Sequence, residues 1–245
     1  MTSNPAVSLL GVAACTATLL CPTLADAQDT PDQRWQYEFS PYLWAAGVEG
    51  DTRLGPLSFD SSANFSDIVS KLDFGAMAAF EARRGRWGVL ADAFYIKLSD
   101  DRQGPQGKIN FDLTQQMYLL GGTWRAFEGA APVDLIAGLR YKYIKPRIDA
   151  PSGSREHSQE ALDPFIGVRA SYPLNQRWSL VGHVDVGTYD GGDWTWQLLA
   201  GAKYALSATR FVKFGYRRLE TKYSTDRFET DTTLHGLYVG MGFRF

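Results

Sequence analysis

From Trp35 to Phe245, apolar and polar residues alternate with a period of two in segment after segment. The last ten residues show it most plainly. Leu237, Val239, Met241, Phe243 and Phe245 share one parity, and Tyr238, Gly240, Gly242 and Arg244 share the other. A strand sends successive side chains to opposite faces, so this spacing predicts a strand with two unlike surfaces. Alternation bounded by turn residues predicts ten such strands, at 35–49, 73–84, 86–99, 108–125, 133–147, 159–174, 177–189, 193–206, 210–223 and 232–245.

The connections alternate in length. Arg84-Gly85-Arg86, Asn175-Gln176 and Ser207-Ala208-Thr209 are tight, and 126–132 is somewhat longer. On the other side lie 50–72, 100–107, 148–158 and 224–231, with Asp190-Gly191-Gly192 as the one short member. Short turns at one end and longer loops at the other are the pattern of an outer-membrane barrel. Each strand reaches the roughly 9–11 residues that a tilted strand needs to cross a bilayer. An open strand edge in hydrocarbon would leave backbone groups unpaired, so the sheet is expected to close. The fold class predicted is all-β: a closed antiparallel transmembrane β-barrel of about ten strands. The longest connection, 50–72, carries Phe65, Ile68, Val69 and Leu72 at helical spacing, with Ser66 placed to cap. The segment is expected to form either a two-turn helix over the barrel mouth or, equally, an irregular loop or an extra hairpin through 52–59.

The faces follow from parity. In the eighth strand Trp194, Trp196, Leu198, Ala200, Ala202 and Tyr204 form an apolar, lipid-directed face with aromatics at both ends. The opposite face takes Thr195, Gln197, Leu199, Gly201 and Lys203. The fourth strand is ambiguous at Gln115 and Gln116, where a bulge would restore the pattern. Inward by this register are the acids Glu38, Glu81, Asp92, Asp134, Asp163 and Asp185. The inward bases are Arg83, Arg140, Lys142, Arg169, Lys203, Lys213, Arg217 and Arg244. A ten-strand barrel is only slightly wider than the size that side chains fill, so these charges are expected to pair in a side-chain-filled lumen. Glu38, Arg83 and Arg244 are expected at matching depth near the short-turn end.

The start of the chain is a different text. Residues 6–24 are apolar and small, and Ala25-Asp26-Ala27 fits the A-x-A cleavage pattern, so 1–27 reads as a signal peptide and 28–245 as the barrel. No base precedes the apolar run. The alternatives are a lone membrane helix, which Pro22 and Asp26 interrupt, and a lipoprotein box at Val12-Ala13-Ala14-Cys15. Both cysteines, Cys15 and Cys21, lie in this segment, so the remainder has neither disulfides nor thiolate chemistry. Removing the segment leaves 25 bases against 26 acids, a balance that gives no case for nucleic acid.

Several segments resemble a large group of uncharacterised Gram-negative outer-membrane barrel proteins. They are SPYLWAAGVEGD at Ser40–Asp51, FEARRGRWGVLADAFYIKLSDD at Phe80–Asp101, DPFIGVRASYPLNQRWSLVGHVDVG at Asp163–Gly187, DWTWQ at Asp193–Gln197, GYRRLETKY at Gly215–Tyr223 and GLYVGMGFRF at Gly236–Phe245. The resemblance implies a single porin-like barrel in the cell outer membrane, with membrane lipids and the barrel insertion machinery as partners. The terminal Phe245, with Phe243, resembles the signal that this machinery reads. The resemblance brings no activity.

Candidate chemistry is sparse. His157 sits in a charged loop and His235 has lipid-facing parity near the outer end of the last strand. His183 points inward with Asp185 two residues on and Ser179 four back, a set that needs mutual hydrogen bonds to catalyse. Residues i and i+2 of a strand are about 6.6–7 Å apart at the Cα, a spacing that does not by itself give contact. A satisfied lumen network is the expectation there. No metal or cofactor constellation is expected. Arg83-Arg84-Gly85-Arg86 is read equally as a headgroup contact and as a solvated turn. The chain is therefore expected to be no enzyme but a structural or interaction barrel. A narrow channel for small solutes is the alternative, and a lipid-modifying enzyme stands third.

Overall fold

The computed structural model describes residues 34–54, 57–63, 65–104, 107–151, 153–156, 158–189, 193–225 and 228–245. The expected signal peptide, His157 and the Asp190-Gly191-Gly192 turn lie outside them. The elements run β1 (Gln36–Leu54), β2 (Leu57–Ala63), α1 (Phe65–Ser70), β3 (Leu72–Arg84), β4 (Trp87–Gly104), β5 (Gly107–Phe127) and β6 (Val133–Ala150). They continue β7 (Gly153–Glu156), β8 (Gln159–Pro173), β9 (Trp178–Tyr189), β10 (Asp193–Ala205), β11 (Arg210–Thr225) and β12 (Phe228–Arg244).

All the strands except β2 and β7 form one antiparallel ladder, a ring of ten. It closes where β12 returns to β1, from Glu38↔Arg244 to Leu54↔Phe228. No edge is left for hydrocarbon to strand, which is the condition for crossing a bilayer with β-structure. Register pairs lead from Glu38 through Glu81, Leu90, Gly121, Gly138 and Phe165. They go on through Gly187, Thr195, Thr221 and Thr232, and reach β1 again at Gly50. The stagger, residue 38 to residue 50, is twelve residues around the ring. It tilts the strands by about 40° and sets a backbone radius of about 10 Å.

The two faces separate as the alternation dictates. Leu43, Leu120, Ile166 and Leu237 are each more than 60 % exposed on the outside, while Arg140, Asp163, Asp185 and Arg217 are buried within. In β10, Asp193, Thr195 and Gln197 are buried and Leu198 and Ala200 are exposed. Rings pair near the short-turn end, with Trp178 and Tyr204 at 4.8 Å and Trp87 and Trp124 at 6.4 Å between centroids. Phe245 stacks on Tyr37 at 5.6 Å, and the two residues exchange backbone hydrogen bonds of 3.0 and 3.1 Å. The tight turn after β3 places Gly85 at φ 58°, a left-handed conformation that costs glycine nothing.

Three local expectations are revised. The β4–β5 ladder runs on to Gly104↔Gly107 and the β6–β7 pairing to Ala150↔Gly153, so much of 100–107 and 148–158 is strand, not loop. The apolar face ends where lipid ends, but the backbone ladder continues above it. Segment 50–72 holds both a hairpin, β2 on β1 from Val48↔Ala63 to Leu54↔Leu57, and the helix α1. No register shift occurs at Gln115 and Gln116. Instead Gln116 stays outside as acceptor for the Tyr118 hydroxyl at 3.1 Å, and the shift in β5 falls at Arg125/Phe127.

Candidate functional site

The inward side chains form three layers. Nearest the short turns, Asp134 accepts from Arg125 Nε at 2.9 Å, Arg83 Nη2 at 2.8 Å and Arg169 Nη2 at 2.9 Å. Glu81 accepts from Arg83 at 3.0 Å and from both Nη atoms of Arg169 at 2.7 and 2.8 Å. Arg83 reaches across β4 at Gly88. A Cβ at Gly88 would sit 2.7 Å from Thr123 Oγ1, so glycine leaves the passage open. On the facing wall Glu38 accepts from Lys203 at 3.3 Å and Arg244 at 3.2 Å, and both cations lie over the Phe211 ring at 4.0 and 5.0 Å. The expected grouping of Glu38, Arg83 and Arg244 is thus divided between two clusters.

A second layer crosses the lumen at mid-height. Tyr42 donates to Asp92 at 2.9 Å and accepts from Arg217 Nη1 at 2.9 Å. Arg217 donates through Nε and Nη2 to Gln197 Oε1 at 2.9 and 2.6 Å, and Gln197 Nε2 donates to Asp185 at 2.9 Å. Asp185 also binds Arg140 and, at 2.6 Å, His183 Nε2. The chain of bonds joins β4 and β1 to β6 through β11, β10 and β9. Above it stands an apolar layer of Trp44, Phe94, Met117, Leu219 and Leu234, all buried. Arg217 lies over the Trp44 ring at 4.6 Å and Arg140 over Phe165 at 5.2 Å. Level with this layer, on the wall formed by β6, β8 and β10, Lys142 pairs with Asp163 at 2.6 Å, and Thr195 bridges them.

Below the middle layer the lumen is hollow. A cavity of about 820 Å³ is lined by Glu38, Glu81, Arg83, Asp134, Arg169, Lys203, Lys213 and Arg244, with Asp92, His183, Gln197 and Arg217 at its inner end. Arg34, Trp35 and Phe245 also line it. The expectation of a side-chain-filled lumen is corrected for the short-turn half, which is open. Stagger beyond the strand number widens the cylinder past what the short-turn side chains fill.

Sequence parity put Gln197 on the inner face beside the ionised groups but passed over Tyr42. Tyr42 and Gln197 complete the middle layer, and the inward Trp44, Phe94 and Met117 seal it. Tyr42 and Trp44 share the parity of Glu38, and Phe94 that of Asp92, which was the available signal; for Met117 the strand was ambiguous. The His183–Asp185 contact was not expected from i, i+2 spacing; the imidazole leans along the strand and covers the gap. Among the described residues Ser179 makes no bond to His183. Outside, His235 is held at both nitrogens, by Tyr216 Oη at 2.9 Å and Glu49 at 3.2 Å.

A closed ring of ten tilted strands, apolar outside and ion-paired inside, defines an integral outer-membrane β-barrel. The sequence matches the outer membrane protein beta-barrel domain family over residues 13–245, and the chain belongs to that family; it resides in the outer membrane. No curated protein matches the sequence. The fold is similar to the outer membrane protease OmpT of Escherichia coli, with 12 % identity, 88 % of this chain and 98 % of that one covered, and a TM-score of 0.57. Ail of Yersinia pestis, in complex with the heparin analogue sucrose octasulfate, matches at 11 % identity over 86 % and 99 % of the chains, with a TM-score of 0.41. OprG of Pseudomonas aeruginosa matches at 13 % identity over 88 % and 97 %, with a TM-score of 0.36.

The OmpT likeness corrects one expectation. The chain was read as no enzyme because its candidate chemistry is sparse. A protease is built on this same architecture, so the fold gives no ground for excluding catalysis. At 12 % identity the likeness carries the fold and not the activity.

Proposed function

We propose that the protein is a non-conducting outer-membrane barrel that keeps a charged chamber open to the periplasm beneath a sealed outer half. It works by holding or contacting a partner, not by passing solutes. One observation carries this reading: the bonded chain from Asp92 to Arg140 crosses the lumen directly under the Trp44–Phe94–Met117–Leu219–Leu234 layer. A water or ion crossing there would have to separate several buried, charge-assisted hydrogen bonds at once, which is costly. Residues 1–27 serve as the export signal, and Phe243 and Phe245 as the insertion signal.

The rival reading, a narrow channel for small solutes, draws on the chamber itself, which is wide and charged at one end. It requires the Arg217–Gln197 contact to part. Liposome swelling separates the two. Vesicles holding the refolded protein should not swell in isosmotic glycerol or arabinose faster than empty vesicles. Swelling that scales with protein content would replace the sealed barrel by the channel.

A further inference from the structure

Lys203 and Lys213 are direct partners across β10 and β11, and both point into the chamber. Like charges placed opposite each other on one face of a sheet repel. Lys203 has Glu38 at 3.3 Å to offset this. Lys213 has no carboxylate within ion-pair distance among the described residues; its ammonium lies 5.7 Å from the centre of the Tyr42 ring.

The imbalance extends to the whole chamber. Eight Arg and Lys side chains line it against the four carboxylates Glu38, Glu81, Asp92 and Asp134, a formal surplus of four. All four side-chain carboxylates are already engaged by cations. Arg83, 9 % exposed, keeps Nη1 buried with no hydrogen-bond partner. Uncompensated positive charge in a low-dielectric enclosure is expensive, and the same enclosure focuses its field on the mouth.

We infer that the chamber is a binding site for a water-soluble organic anion, whose carboxylate or phosphate group sits between Lys203 and Lys213. The wall also carries Leu90, Leu119, Val181 and Leu199, so the ligand has an apolar body to set against them. The closed ladder leaves no lateral path from lipid. The ligand therefore enters from the aqueous, short-turn side. The inference deepens the proposal of a periplasm-facing chamber and rests on it.

The test uses the full-length protein refolded in a non-ionic detergent, with ligand-observed NMR as the readout. Phenyl phosphate and benzoate are the probes, benzylamine is the cation of similar body, and inorganic phosphate is the anion without one. The expected result is binding of at least one aromatic anion, no binding of benzylamine, and weaker binding of inorganic phosphate. Lys213→Gln, which breaks no ion pair, should lower affinity about tenfold, the loss of one charge-assisted contact. Lys213→Arg should keep it. Binding of neither aromatic anion, equal binding of benzylamine, or unchanged affinity in Lys213→Gln would overturn the site. Inorganic phosphate binding as tightly as phenyl phosphate would overturn the apolar body. Conductance distinguishes the two levels. Failed anion binding in a silent barrel removes the inference alone, and open steps remove the sealed-chamber proposal.

Discussion

Arg217 donates to the Tyr42 hydroxyl at 2.9 Å and so ties β11 to β1 across the inside of the barrel, with β12 between them in the ladder. The guanidinium spends its other donors on Gln197, and its flat face on Trp44. One residue thus joins the polar layer to the apolar layer above it.

Arg217→Ala should destabilise the barrel by about 3 kcal/mol, because it leaves the Tyr42–Asp92 pair and Gln197 buried and short of a donor. Urea titration of folding into lipid vesicles measures this. Arg217→Lys should recover only part, since an ammonium cannot bridge Tyr42 and Gln197 with a planar fork. Full recovery would mean that the charge alone matters.

Arg140 has no exposed surface, and Asp185 is its ion-pair partner. Asp185→Asn should cost about 3–5 kcal/mol by stranding that charge. Removing both charges with Asp185→Leu and Arg140→Leu should cost much less than the two single changes summed. A double-mutant cycle on the same titration gives the coupling. Additive single costs would show that the pair does not act as a unit.

The Phe211 ring lies against Gly242, where a Cβ would overlap it. Gly242→Ala should therefore cost about 1–3 kcal/mol through overpacking. It should also weaken heat-modifiability on a gel, the usual sign of a loosened barrel. Phe211→Leu in the same chain should restore part of the loss.

Between the β3–β4 and β5–β6 turns, outside the membrane, Arg86 donates to Glu128 at 3.0 and 3.1 Å, and that hydrogen bonding holds the Glu128 carboxyl below its ordinary 4.5. A depressed carboxylate contributes stability that is present above the unfolded value and lost as pH falls through the folded one. Wild type should exceed Glu128→Gln slightly in urea midpoint at neutral pH, with the gap closing in acid. The pair is exposed, so the gap is small. A gap that widens in acid would reverse the assignment.

Much of this was written in parity. Ten strands, their order and the inward set from Glu38 to Arg244 followed from period-two alternation, because lipid outside and polar groups inside impose opposite demands on adjacent residues. The outer ladder, β4 to Gly104 and β5 from Gly107, was illegible, since above the bilayer neither face need be apolar. The apolar layer was hidden for the opposite reason. Trp44, Phe94 and Met117 sit on the polar side of the pattern, and only the three-dimensional register brings them together. Pair choice was beyond reach as well: Arg83 meets Asp134 because Gly88 leaves the way open, a contact 51 residues apart.

Single-channel recording in planar bilayers puts the sealed lumen to the test at its most exposed point. Wild-type protein should give no reproducible current steps at moderate voltage and salt. The Trp44→Ala/Arg217→Ala variant, inserted equally well by heat-modifiability, should give resolved steps. Reproducible open steps from the wild type would contradict the seal outright.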